Sequence, residues 1–414
     1  MQYSVEIKKD ASPAQFADYI SAPMYNQRRM DHYVIVADDS SFINMGVLAS
    51  LCCWALGRAK IGCTFEIQGE MSRVRYLARM GLHGLLGLSE PSMNRNNEHA
   101  KFLPIRVVMD NADAVLDAVE NVIAIVLAQC ERGDKICSAF ELALYELIDN
   151  VRIHAESYVG GIVCAQTYPK KGTIQIGICD AGIGILGSLR RGKRYSDLQS
   201  DSDAIEKALL RGVTRDLDVG QGNGLAIATE IVKLNGGEMV IWSGKSSRRV
   251  PGHSPFPGTG FRNKFSGTGI FLTLRTDRVV DLSKTWIHGG DTGYLQKEAG
   301  RLSQAGRINV GKECVATIGR PEARALRFKM LIALEDADHL VLDFSYVHTT
   351  VLSFLDELVG RLAEHLGEAE FHRRIRFEGM RDTHERMATT VIRQRLGLEE
   401  TQSYLEFDDE DIPF

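Results

Sequence analysis

The chain has 414 residues, enough for two or three domains, with 44% hydrophobic residues and a formal net charge of −5. A charge that small leaves no global pull toward nucleic acid or an anionic membrane surface. Eight scattered cysteines, none in a CxxC pair, read as buried thiols of a reducing compartment rather than a zinc site or disulfides.

The first residues carry no apolar signal core, and no apolar run approaches the ~20 residues of a membrane span, so a cytoplasmic protein with no membrane partner is expected. The stretch "HYVIVADDSSFINMGVLASLCCWALGRAKIGCTFEIQG" reads as strand (33–37), polar turn (38–41), helix (45–56) and strand (63–67). The polar run 91–101 marks a boundary. A long apolar-periodic helix then covers 110–129, Gly133 and Asp134 break it, and a second helix covers 138–155. Alternating runs at 161–168 and 173–179, joined by "PKKG", read as a β-hairpin. "DAGIGI", a polar variable stretch, a glycine-rich helix opening at about Leu225, a Gly/Pro/basic loop from 245 to 265 and a strand "GTGIFLTL" complete the middle region. Residues 278–305 look like a connector. Strand–turn–helix grammar returns from Arg307, and "DDEDIPF" reads as a frayed acidic tail. The expected organisation is an N-terminal α/β domain (1–100), a middle domain (101–277), a connector (278–305) and a C-terminal α/β domain (306–414).

On the second helix, Glu146, Asn150 and His154 recur every fourth residue and share one face. By itself that row fits a solvated face as well as a site. Asp180 directly follows a strand and stands before Gly182 and Gly184. There a carboxylate can accept a hydrogen bond, and backbone without Cβ atoms can approach a ligand. Gly220, Gly222 and Gly224 precede a helix whose free N–H groups and positive dipole end suit an anion. Thr268 opens the last strand of the region. Lys245, Arg248, Arg249, Arg262 and Lys264 are either lid cations or an ordinary solvated loop.

In this order, "ELIDN…H", "DAGIG", "GQGNGL…EIVKLNGG" and "GTGIFLTL" resemble the asparagine and glycine boxes of the GHKL ATPase superfamily, over about residues 105–277. The nearer likeness is to its anti-sigma and histidine-kinase types. The resemblance implies a Bergerat-type sandwich of helices on a mixed sheet that holds ATP and Mg²⁺. It implies Asn150 as the Mg²⁺ ligand, Asp180 on the adenine amino group, and Gly182 and Gly184 against the base. It further implies Gly220, Gly222 and Gly224 around the phosphates, Thr268 lining the pocket and Glu146 as general base. His154 is a structural neighbour or a phosphate contact. No helical hairpin with a phospho-acceptor histidine precedes the domain, so a conventional histidine kinase is not expected.

The segment "LVLDFSYVHTTVLSFLDELVGRL" resembles the STAS fold and its STAS-like relatives, and residues 20–90 resemble it more faintly. Ser353, with Thr349 and Thr350 nearby, falls where such a fold takes a phosphoryl group, although a serine there also simply caps its helix. The N-terminal copy has Met45 and Gly46 instead, which suits a docking surface. The implied function is an Mg-ATP-binding switch coupled to STAS-like interaction domains, as a slow ATPase or a partner-switching Ser/Thr kinase. The implied partner is a STAS-like or regulatory protein, with a homodimer left open. The alternative is a scaffold that binds ATP without turning it over. No basic domain points to nucleic acid.

Overall fold

The computed structural model describes residues 2–7, 12–21, 31–37, 43–92, 101–109, 112–128, 133–210, 212–215, 224–251, 262–280, 301–314, 320–347 and 350–398. The protein is a mixed α/β chain of two compact units, Met1–Thr285 and Trp286–Phe414. Among the described residues, no helix is long and apolar enough to cross a membrane.

The first unit opens with β1 (Gln2–Glu6), α1 (Pro13–Ile20), β2 (His32–Ala37), α2 (Met45–Lys60) and β3 (Thr64–Gly69), followed by α3 (Met71–Arg79) and α4 (Leu82–Leu85). The three strands form a parallel sheet in the order β1-β2-β3. Ser12 and Gln15 start α1 with a reciprocal capping box, and Pro13 sits in its first turn. Asn44 starts α2 by accepting the Val47 N–H at 2.9 Å. Nearly every residue from Met45 to Cys53 is buried. A helix apolar all round must be covered on more than one side. One side of α2 meets its own sheet, where Trp54 stands edge-on to Tyr33 at 5.0 Å. The other side lies on a second sheet.

That second sheet is built from β4 (Phe102–Val108), β5 (Gly161–Tyr168), β6 (Thr173–Asp180), β7 (Glu238–Gly244), β8 (Ser246–Val250) and β9 (Phe265–Arg275). Its order is β4-β5-β6-β9-β7-β8, and every pairing is antiparallel. Alternation along β6 divides its side chains. Gly177 and Cys179 face α2, and a Cβ at Gly177 would lie 2.1 Å from the Met45 carbonyl oxygen. Gly46 returns the favour, since a Cβ there would strike Pro13 and Phe271. Ile162, Cys164, Cys179, Trp242 and Phe271 therefore share one core with the N-terminal module. The described cysteines, Cys52, Cys53, Cys63, Cys164, Cys179 and Cys314, are free and buried.

The opposite face carries Ile174, Ile176, Ile178 and Asp180. It is covered by α5 (Ala112–Leu127), α6 (Gly133–Asn150) and α9 (Gly224–Asn235). The stretch read as a polar variable region contains α7 (Gly184–Arg190) and α8 (Asp201–Ala208). The segment read as a basic loop from residue 245 begins instead as the edge strand β8, where Arg248 pairs with Glu206 at 2.7 Å and Arg249 pairs with Glu238. Charges on an edge strand oppose pairing with another chain.

The second unit has a parallel sheet of β10 (Arg307–Asn309), β11 (Leu340–Asp343) and β12 (Ile375–Glu378) in sequential order. Both parallel sheets thus share strand order and sense. A long helix (Arg320–Asp336) and a C-terminal helix (Asp382–Arg395) both pack against a π-turn (Asp356–Gly360). Phe344, Phe354, Leu358 and Phe371 form the centre of its core. Inside it, Glu357 is fully buried and receives Arg324 at 2.9 Å, Arg327 at 2.8 Å and Arg361 at 3.5 Å. Burial pushes the Glu357 carboxyl up, but the three guanidinium groups outweigh it and hold the carboxyl down at about 2.

Removing one member of such a cluster strands buried charge. Glu357→Ala should therefore lower stability by about 3–5 kcal/mol in urea unfolding of the full chain near neutral pH. A carboxyl depressed on folding stabilises above its unfolded value of about 4.3 and loses that contribution as pH falls toward 2. The gap between wild type and Glu357→Ala should close over that window.

Candidate functional site

The site is assembled at the C-terminal end of β6, on the face opposite α2. Phe140, Leu144, Leu147 and Ile148 bury one side of α6 and leave Glu146, Asp149 and Asn150 half-buried along another. Glu146 lies against the start of α9: a Cβ at Gly224 would fall 2.3 Å from the Glu146 Oε2. This places the carboxylate beside the first turn of a twelve-residue helix, where N–H groups lack intrahelical partners. Asn150 is the last residue of α6, one turn beyond Glu146.

From Val151 to Ala155 the helix widens into a π-turn, a form frequent at functional sites. It ends at Glu156, whose φ of 52° is left-handed. Arg191 and Arg215 both pair with the Glu156 carboxylate, and Arg215 also donates to the Ile153 carbonyl at 2.8 Å. His154 lies on this turn. Burial, with Arg215 nearby, lowers its pKa to about 4, so the ring is neutral at pH 7.

The Ala155 carbonyl accepts the Ile183 N–H at 2.8 Å and fixes the turn after β6. It comes so close to Gly182 that a Cβ there would lie 1.9 Å away. Only glycine closes this turn. The Gly182 N–H donates to Asp180 Oδ1 at 2.8 Å, and the Thr268 backbone N–H donates to the same carboxyl. Asp180 is 4% exposed, and burial raises its carboxyl to about 7 despite the two N–H donors. A bulge in β9 makes the second donation geometrically available: Ser243 pairs with Thr268 and Gly244 with Phe265. Gly267 in that bulge has a φ of +105° and lies over Asp180.

The structure thus brings Asp180, Gly182, Gly184 and Thr268 together, and sets Glu146 against Gly224 one helical turn from Asn150. Gly220, Gly222 and Thr349 lie outside the described residues, as does the Ser353 side chain. Ser353 itself is the second residue of the helix Leu352–Leu355. Arg262 and Lys264 are exposed, and Lys245 donates its backbone N–H to Asp201.

One further residue of this region stands in no sequence motif. Ser243, 1% exposed, ties three pieces of the site together. Its only trace in sequence is a hydroxyl inside the apolar run "EMVIWSG".

Residues 322–385 match the family described as a STAS-like domain of unknown function (DUF4325). The second unit therefore carries a STAS-like domain. No curated protein matches the chain.

Asp180 supplies a direct test of the site's electrostatics. Between its unfolded value of about 3.9 and its folded value of about 7, the folded chain holds a proton that the unfolded chain has lost. Stability contributed by this group should fall as pH rises through that window, by up to about 1.4 kcal/mol per unit. Asp180→Asn should flatten the pH dependence of urea unfolding between pH 4 and 7, and should gain on wild type above pH 7.

Proposed function

We propose that residues 101–277 of the first unit form a GHKL-type Mg-ATP-binding domain that couples nucleotide binding or turnover to the partner choice of a STAS-like domain. Asp180 carries the reading. It is a buried carboxyl at the end of a strand, held by two backbone N–H groups beside the turn that carries Gly182 and Gly184. A ligand amino group would offset the desolvation that burial imposes on its charged form.

The donor set suits Mg²⁺ delivered with phosphates. Asn150 offers a hard amide oxygen, one helical turn from the Glu146 carboxylate. Among the described residues, no group of three His, Cys, Asp or Glu side chains could hold a metal alone. Magnesium characteristically takes one or two protein oxygens and completes its shell with water and phosphate. Bound Mg-ATP would supply the transferable phosphoryl group and the cation that neutralises its charge.

Each remaining role falls to a residue of this chain. Asp180 would hold the adenine amino group, and Gly182 and Gly184 would let the base lie on backbone. Asn150 would hold the metal through its amide oxygen. Gly220, Gly222 and Gly224 would turn N–H groups toward the phosphates at the start of α9. Glu146 would take the proton from an attacking hydroxyl or water. His154, neutral and half-buried, would shape the wall.

Two nucleophiles suit this arrangement. Water gives an ATPase, and a serine of a STAS-like domain gives a partner-switching kinase, with Ser353 as the acceptor within this chain. Incubating the full chain with γ-labelled ATP and Mg²⁺ should release labelled phosphate or label protein. Asn150→Ala should abolish nucleotide binding in Mg²⁺. Glu146→Ala should keep binding and lose at least ~10²-fold in turnover. Loss of protein label in Ser353→Ala selects the kinase form. Binding with no turnover in wild type selects the ATP-binding scaffold. Normal turnover by Glu146→Ala removes Glu146 from the role of base.

A further inference from the structure

Ser243 of β7 pairs with Thr268 of β9, just where the β9 bulge begins. Trp242 lies across Gly269 so closely that a Cβ there would fall 2.0 Å from the ring, which locks the two strands in this register. The Ser243 hydroxyl then has three neighbours. It accepts the Ile185 N–H at 2.9 Å, donates to the Gly267 carbonyl at 3.0 Å and lies 3.3 Å from the Thr268 hydroxyl.

A serine hydroxyl has one proton and two lone pairs. Gly267 O has no hydrogen, so it takes the proton, and Ile185 N–H takes one lone pair. The Thr268 hydroxyl can satisfy the remaining lone pair only by donating its own proton to Ser243. Thr268 then turns bare lone pairs to the site and acts there as an acceptor. Its backbone N–H is already committed to Asp180, whose Oδ1 is also an acceptor.

Given the nucleotide reading above, on which this step rests, we propose that Ser243 is a positioning residue that fixes the polarity of Thr268 and so selects an aminopurine over an oxopurine. Two acceptors side by side welcome an exocyclic N–H₂. A purine carbonyl in that place would meet lone pairs with lone pairs, and a site built for a donor rejects the analogue that lacks it. Ser243 touches no base; it acts through Thr268.

The experiment is calorimetric titration of the full chain in Mg²⁺ with ATP and with GTP, for wild type, Thr268→Val, Ser243→Ala and Ser243→Thr. Wild type should prefer ATP. Thr268→Val is nearly isosteric and leaves the Ser243 bonds to Gly267 and Ile185 in place. It should weaken ATP about tenfold and narrow the ATP/GTP ratio by a similar factor, with the unfolding midpoint shifted by no more than about 2 °C. Ser243→Ala should narrow the ratio as well, and Ser243→Thr, which keeps the hydroxyl, should restore it. If Ser243→Ala does not fold, Thr268→Val decides alone. An unchanged ATP/GTP ratio in Thr268→Val overturns this inference and leaves ATP binding standing. Absence of ATP binding by wild type overturns the nucleotide reading itself.

Discussion

A buried carboxyl group governs the first unit. Asp180 ends β6 at a point where one face of the sheet is covered by α2 and the other by α5, α6 and α9. Its partners are backbone N–H groups from two different segments, Gly182 in the following turn and Thr268 across the sheet. Each donation needs a glycine nearby: Gly182 must pass beneath the Ala155 carbonyl, and Gly267 must adopt a left-handed bend over Asp180 itself. The π-turn that presents Ala155 is anchored in turn by Arg215 through Ile153 and Glu156. The local irregularities of the unit (a π-turn, a bulge, a left-handed glutamate) therefore converge on one group.

The N-terminal module has a structural part in the same arrangement. Its helix α2 lies on the back of β6, with Met45 O against Gly177 and with Cys53 in the same buried cluster as Cys179, the residue before Asp180. The strand that ends in the carboxyl is thus clamped from behind by a different α/β layer. A module read as a docking surface is in this unit a packing layer, because α2 has apolar residues on every side and a three-stranded sheet covers only one of them. The second unit keeps its own core and its own buried ionic cluster at Glu357.

Much of this was legible in the sequence. The β5–β6 hairpin, the helix carrying Glu146 and Asn150, the strand-terminal Asp180 and the α/β segments at both ends all follow from alternation, helical spacing and glycine placement. What was missed has physical reasons. Strand β4 contains Pro104 and a register irregularity, which break alternation. Strand β8 is "SSRRV", an edge strand whose charges make it read as loop. Helix α7 is seven residues long and interrupted by glycine, and α8 is eight residues long and mostly polar, so both are too short for periodicity to emerge. The helix read as 138–155 begins at Gly133 and changes to a π-turn after Asn150, and no residue type announces that change. Ser243 is invisible for a different reason: its importance lies in what a single proton must do among three neighbours, and only the fold supplies those neighbours.

The central claim is that Asp180 receives the amino group of a purine nucleotide. A crystal structure of the full chain grown with Mg²⁺ and a non-hydrolysable ATP analogue tests it most directly. The base should lie against Gly182 and Gly184, with its exocyclic nitrogen about 3 Å from an Asp180 oxygen or joined to it through one water. A nucleotide bound elsewhere, or a base turned so that its amino group points away from Asp180, would contradict it.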